Sequence, residues 1–475
     1  MKSTVVLGSP GTGKTSNLIK RIEEEIESGT SKDRIHVVSH TRVAANEIKD
    51  RAGAHGINAS TIHSMAYRFG EFIKEQVVYG KELKDFSEKL GIPMKGFVDA
   101  TFDALEVGDE YIAIMNVANN TMLPYEQVYK NSHRPGNYNE FKYFYENYEH
   151  WKRVNGFIDF NDMIKVGKYV GEDPIEILFI DEAQDLSKLQ WAFLHGVIRE
   201  NKVKKVIVTG DPDQSLFIWG GADRSGMINF IKDYKAKVVE LDQSYRVPIN
   251  VHRISRDIIS RVSNRIDKTY HPAGHSGIIR KYSSADMLDF DDGETLVLYR
   301  NHSFRRDIEG ILIEKGLPYR VLNGRPGLFE NKYSNAIRAV RKIQKMGPND
   351  VVPRSIVNCI KLVATPKAKK ILEKGEFSKL FTMRRNEVIS FPFSECQYYM
   401  GVDVSKEPNI LLSSIHGAKG MEADRVILLN SITQRVSEEM YNDPDPEHQV
   451  WYVAVTRSKN KLDIVDGYDG DMYNI

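Results

Sequence analysis

The run TVVLGSPGTGKTSNLIKRIEEEI, residues 4–26, limits what this chain can fold into more sharply than any other stretch. A strand-like apolar segment leads into Gly8, Ser9, Pro10, Gly11, Thr12, Gly13, Lys14 and Thr15, and a helical pattern opening at Ser16 leads out. This is the pattern G-x-x-x-x-G-K-T in the strand–loop–helix setting it requires. Glycines at 8, 11 and 13 let the backbone wrap a phosphate chain with its N–H groups, Lys14 can reach the β and γ oxygens, and the Thr15 hydroxyl can hold Mg²⁺. A plain glycine-rich turn is the competing reading, and motif and setting together leave it little room. The chain is therefore expected to be α/β, built on a parallel sheet.

A second segment, IEILFIDEAQD at 175–185, is apolar from Ile175 to Ile180 except for Glu176, as a strand buried on both faces of a parallel sheet would be. It ends in Asp181 and Glu182, at the carboxyl edge where such sheets bind ligands. Asp181 can hold the Mg²⁺, and Glu182 is placed to polarise a water for in-line attack on a γ-phosphate. A third strand, KKVIVTGDPDQ, ends the same way, so that Gln214 falls near the same edge with an amide able to bond the γ-phosphate or the attacking water. Five residues further on, Trp219 with Phe217 is either a core pair or a platform on which an unpaired base can stack.

A chain of 475 residues exceeds the size of a single hydrophobic core, so two or more domains are expected. No stretch approaches the roughly 20 apolar residues of a membrane span, and Met1 runs straight into the first strand without a signal-peptide pattern, which suggests a cytoplasmic protein with no membrane partner. Two cysteines, Cys359 and Cys396, exclude a disulfide scaffold and a four-cysteine zinc site. With 66 basic against 65 acidic residues, a polyanion must be met by local basic patches rather than by a global field.

Ten segments then occur in a telling order: GSPGTGKT, VVSHTRVAANEIKDR, STIHSMAYRF, FIDFNDMI, FIDEAQDLSKLQ, TGDPDQSLFIWGGAD, LDQSYRVP, VLYRNHSFRR, SSIHGAKGMEADRVIL and WYVAVTRSKNKL. In this order, spanning residues 3 to 462, the chain resembles superfamily 1 DNA helicases of the UvrD, Rep and PcrA type. The resemblance implies two RecA-like parallel-sheet domains with mainly helical insertion domains, ATP with Mg²⁺ between the RecA-like domains, and single-stranded DNA crossed with 3′ to 5′ polarity. It also implies work on duplex junctions in repair, recombination or replication, alongside proteins of those processes.

Carried over by residue, the resemblance makes Arg246 and Arg457 arginine fingers reaching the γ-phosphate from the second domain, Tyr245 the ring that stacks on adenine, Glu422 the contact to ribose, and Gly420 a further nucleotide-binding residue. Lys14, Asp181, Glu182 and Gln214 complete the catalytic set. For DNA it points to His40, Thr41, Arg42, Thr61, His63, Phe217, Trp219 and His416. Hydroxyls and basic groups near strand ends suit phosphate contacts, which position a strand without reading it. His63 and His416 can equally be histidines satisfied within the fold.

The chain departs from that pattern in places. Ser16 stands where the family has an arginine against the adenine, and no glutamine segment precedes the P-loop, so weak discrimination among purine triphosphates is expected. WGGA, with Gly220, replaces WRGA, and His40 takes the place of a stacking phenylalanine.

The expected layout is a first RecA-like domain at 1–70 and 155–245, a helical insertion like the family's 1B at 71–154, a second RecA-like domain at 246–330 and 410–475, and a short 2B-like insertion at 331–409. Within the first insertion, Phe141, Tyr145 and Tyr148 recur at helical spacing and read as the buried face of a packing helix. The function expected is an ATP-dependent single-strand translocase and DNA helicase. The competing readings are a translocase that strips proteins without useful unwinding and a DNA-bound recruitment factor that uses ATP as a switch.

Overall fold

The computed structural model describes residues 1–39, 42–51, 56–96, 106–132, 137–171, 174–263, 265–290, 293–322, 327–347, 350–392, 395, 398–399, 403, 407–467 and 470–475. The chain divides into two compact units, Met1–His275 with Asp443–Tyr452, and Ser276–Asn442 with Val453–Ile475.

The first unit is built on six parallel strands: β1 (Lys2–Gly8), β2 (Ile35–Ser39), β3 (Asn58–Thr61), β4 (Ile177–Ile180), β5 (Lys205–Gly210) and β6 (Lys237–Leu241), in the order β3-β2-β4-β5-β1-β6. Its central strands are covered on both faces, with every residue of β2 and β4 buried, which explains the unbroken apolar run of β4. β4 begins two residues later than the apolar run suggests, because Glu176 pairs at the sheet's end with Arg34 and Lys204. Register sets the carboxyl ends level. Leu7 stands beside Gly210, Gly8 beside Leu241, and Ile180 beside both Val38 and Val208. Every loop leaving that edge therefore starts from one line.

Between β3 and β4 the chain forms helices Gly80–Leu90, Val107–Thr121, Tyr125–Asn131 and Tyr138–Asn155, which share a core of their own. The aromatic stripe is that core: Phe141 and Phe144 are wholly buried, Tyr148 nearly so, and Tyr145 is half-buried with its ring 4.9 Å from Tyr125.

The second unit repeats the plan with β7 (Ile278–Tyr282), β8 (Thr295–Tyr299), β9 (Tyr319–Val321), β10 (Ile410–Ser414), β11 (Ala423–Leu429) and β13 (Ser458–Val465), all parallel, ordered β7-β13-β11-β8-β10-β9. A small antiparallel pair joins β12 (Ser431–Ile432) to β14 (Asp471–Met472). Between β9 and β10 lie the helices Lys332–Gln344, Arg354–Lys361, Pro366–Glu373 and Arg385–Val388. Their apolar faces join the sheet's core: Ile337, Val340, Ile360 and Val388 pack in one cluster with Val297, Tyr299 and Tyr319. Among the described residues no helix is long and apolar enough to cross a membrane.

The border between the units differs from the expected one at 245. Residues 246–275 belong to the first unit because their polar side chains are tied into it: the Tyr270 hydroxyl donates to the Pro10 carbonyl at 3.0 Å, and Arg265 and Lys268 pair with Asp213. Residues 443–452 return to it, with the Asp445 carboxylate accepting from the Ser263 N–H at 3.0 Å and its hydroxyl at 2.7 Å.

Candidate phosphate and strand site

The loop after β1 is held from outside by its carbonyls. Pro10 accepts from the Ser244 hydroxyl at 2.9 Å and from Tyr270, and Gly11 accepts from the Tyr245 N–H at 2.9 Å. Gly11, at φ 76°, lies so close to the 244–246 segment that a Cβ there would stand 2.6 Å from the Arg246 Cβ. Gly13, at φ 77°, takes the left-handed turn into the helix Lys14–Glu27. With these carbonyls tied back, and the Thr12 N–H donating to the Ser9 carbonyl at 3.3 Å, the start of the helix faces a place for an anion. Lys14 folds over the loop, its Nζ donating to the Gly8 carbonyl at 2.9 Å.

Arg246 is thus part of the first unit, beside Gly11, and does not come from the second as expected; the Tyr245 amide bond to Gly11 draws the whole segment onto the loop. The Tyr245 side chain is 79 % exposed next to that loop. The Ser16 hydroxyl accepts from Arg51 at 3.2 Å, so a guanidinium does stand at the start of the helix, supplied from the helix Arg42–Arg51.

Asp181 follows β4 and is almost wholly buried, accepting from the Thr209 hydroxyl of β5 at 2.6 Å. Burial, and next the neighbouring Glu182 carboxylate, push it up to about 6 against the opposing pull of Thr209 and Lys14. Glu182 sits at φ 52°, a left-handed conformation uncommon for a residue with a side chain. Its carboxylate accepts from the Gln184 amide.

Gln214 is buried, and its amide donates to Asp211 at 2.6 Å. Asp211 is wholly buried against Lys268, which also pairs with Asp213 at 2.8 Å; Arg265 holds Asp213 at 2.8 Å. Burial alone would raise Asp211, but Lys268 and Lys14 outweigh it and hold the carboxylate below its ordinary range. Burial likewise opposes the charge on Lys268, and the two aspartates overcome it and raise the amine. The turn beyond displays Trp219, 43 % exposed, with Phe217 edge-on at 6.3 Å. Trp219 is therefore not a core residue. Gly220, the residue in place of the family's arginine, has its carbonyl bonded by Asn120 at 2.9 Å, and Gly221, at φ 95°, packs so closely on Asn120 that a Cβ would meet its Cβ at 2.6 Å.

The other strand candidates divide. His40 and Thr41 lie outside the described residues, as does the Arg42 side chain. Thr61 caps the helix Ile62–Phe69 by accepting from the Ser64 N–H at 3.2 Å, and the half-buried His63 meets Phe160 edge-on at 5.8 Å. In the second unit, His416 follows β10; burial, with the nearby charges of Arg300 and Lys419, pushes its imidazole down to about 3 and keeps it neutral. At the amino ends of β11 and β13, where Ala423 pairs with Ser458, lie Gly420 in a left-handed turn, Glu422 paired to Lys459 at 3.1 Å, and Arg457. Arg457 is buried, donating to the carbonyls of Val453 at 2.9 Å and Met421 at 3.2 Å.

Ser244, Tyr270, Thr209, Gln184 and Lys268 were not singled out by the sequence. Ser244 lies inside a recognisable segment, whereas Lys268 sits in RIDKTY, which looks like a solvated stretch.

A family profile described as "UvrD/REP helicase N-terminal domain" matches residues 1–235, and one described as "UvrD-like helicase C-terminal domain" matches residues 398–466. Curated relatives include DNA helicase II of Haemophilus influenzae, 26 % identical over 71 % of this chain and 52 % of its own length. Another is the ATP-dependent DNA helicase PcrA of Bacillus subtilis, 25 % identical over 74 % of this chain and 53 % of its own. The chain spans about half the length of the curated relatives it matches. The two profiles fall in order on its two parallel-sheet units, and the protein belongs to the UvrD/REP helicase family.

Proposed function

We propose that the protein is an ATP-dependent single-strand DNA translocase and helicase of 3′ to 5′ polarity, acting in the cytoplasm on duplex junctions in repair, recombination or replication. The observation that carries this reading is the shared carboxyl edge of the first sheet, from which the P-loop, Asp181 with Glu182, and the turn from Gln214 to Trp219 all leave. ATP lies along the P-loop with Lys14 on its phosphates, Tyr245 beside the base and Arg246 at the γ-phosphate; Arg457, Gly420 and Glu422 are the further nucleotide contacts that the resemblance implies. Mg²⁺ would be held by Thr15 and Asp181. Among the described residues no three His, Cys, Asp or Glu side chains form a metal-holding group, and Mg²⁺ suits such a site because it commonly takes one or two carboxylates together with substrate phosphates. The ion would supply charge neutralisation at the phosphates, and Glu182 orients the water.

The decisive assay measures ATP turnover with and without a single strand, then unwinding of duplexes carrying a 3′ or a 5′ tail. Stimulated turnover with unwinding from the 3′ tail is the expected result. Stimulation without unwinding points to a stripping translocase, and a stoichiometric rather than catalytic use of ATP to a switch.

Trp219→Ala separates a base platform from a structural ring. With Trp219 on the surface, its loss is expected to lower stability far less than the ~3–5 kcal/mol of a core tryptophan, and to weaken single-strand binding by about 1–3 kcal/mol. Thermal melts beside oligonucleotide titrations read both, and a destabilised variant with parental affinity would remove Trp219 from the strand site.

A further inference from the structure

Gln184 lies between the acid that faces water and the turn that faces the strand. It follows Glu182 in a short helical turn, Ala183–Asp185, and is 2 % exposed. Its amide nitrogen donates to Glu182 Oε2, its amide oxygen accepts from the Asp211 N–H at 2.9 Å, and its main-chain carbonyl accepts from the Ser215 hydroxyl at 3.0 Å. Gly210 makes the approach possible, since a Cβ there would stand 2.6 Å from the amide oxygen.

Only an amide does this. Glutamine carries a donor and an acceptor on one planar head; a glutamate would set a carboxylate against Glu182, and a methionine of similar length offers neither group. The far end of the bridge is the segment Asp211–Ser215, and Phe217 and Trp219 follow within four residues. We propose that Gln184 is a positioning residue that couples strand contact to hydrolysis. Its amide fixes the Glu182 carboxylate, and a shift of the 211–215 turn on strand binding moves that amide and so re-aims the acid. The inference rests on the functional reading above, in which Glu182 orients water and Trp219 meets a base.

The test is the ratio of ATP turnover with and without oligothymidylate, measured on the full chain. In Gln184→Met the stimulation ratio is expected to fall about tenfold, within the range of coupling free energies between two sites. Gly210→Ala, which crowds the amide oxygen without removing it, is expected to lower the ratio in the same direction, and it decides the matter should Gln184→Met not fold. A purely structural glutamine would lower both rates by one factor, so a ratio kept within about twofold of the parent overturns the coupling. Glu182→Gln, assayed in parallel, keeps the failures apart: parental turnover there refutes the role of Glu182, whereas a dead Glu182→Gln beside a fully stimulated Gln184→Met refutes the coupling alone.

Discussion

Glu182→Gln is expected to lower ATP turnover by about 10² to 10⁴, the usual worth of a positioned general base, while ATP still binds. The substitution keeps the side chain's length and shape and removes the charge that polarises water. In the proposed function nucleotide binding draws on the P-loop and Lys14, which the substitution does not touch. It also removes one of the two carboxylates that oppose each other at the end of β4, so the second force raising Asp181 is gone and burial alone is left to raise it, and Mg²⁺ affinity is not expected to fall. Single-turnover hydrolysis beside nucleotide titration checks it; hydrolysis near the parental rate would show that another group orients the water.

Lys268→Met is expected to destabilise the first unit by about 3 to 5 kcal/mol, the penalty for breaking a buried ion pair and leaving one partner charged. Asp213 keeps Arg265, but Asp211 keeps the Gln214 amide, the Asp213 N–H at 3.2 Å and the weaker pull of Lys14. The pH dependence should change sign. In the parent, Asp211 is depressed, so its contribution is present above the ordinary carboxylate pKa and is lost as pH falls through the lower folded value; Lys268 is raised, so its contribution is lost only as pH rises through its folded value, above the ordinary lysine range. In the variant, burial without Lys268 raises Asp211, and the melting temperature should climb as the pH is lowered from 8 toward about 5. A variant with parental stability and a parental pH profile would mean that the pair is not buried in solution.

The parts legible in sequence are those whose chemistry fixes residue type and spacing together. Phosphate binding needs the glycines, Lys14 and Thr15 in one order, and a strand covered on both faces is mostly apolar, so β1, β4 and β5 could be read directly. Trp219 was ambiguous, because an aromatic beside a turn looks alike in a core and on a surface, and only its exposure decides. Lys268 was invisible. A lysine is rarely buried unless paired, and its partners lie more than fifty residues earlier in the chain. Arg246 was recognised as a residue but assigned to the wrong unit, since a backbone bond from Tyr245 to Gly11 leaves no mark in side-chain pattern.

The return of residues 443–452 to the first unit bears on how the chain is made. Ser263, Arg224 and the Pro212 carbonyl all take partners from that segment: Asp445, Asp443 and Gln449. A ribosome that has delivered everything through His275 has still not supplied these groups, and must translate the whole of Ser276–Asn442 first. The nascent first unit therefore waits with part of its polar interior open to water, in the neighbourhood of the Asp211–Lys268 pair, and completes itself only once Asp443–Tyr452 has followed Ser276–Asn442.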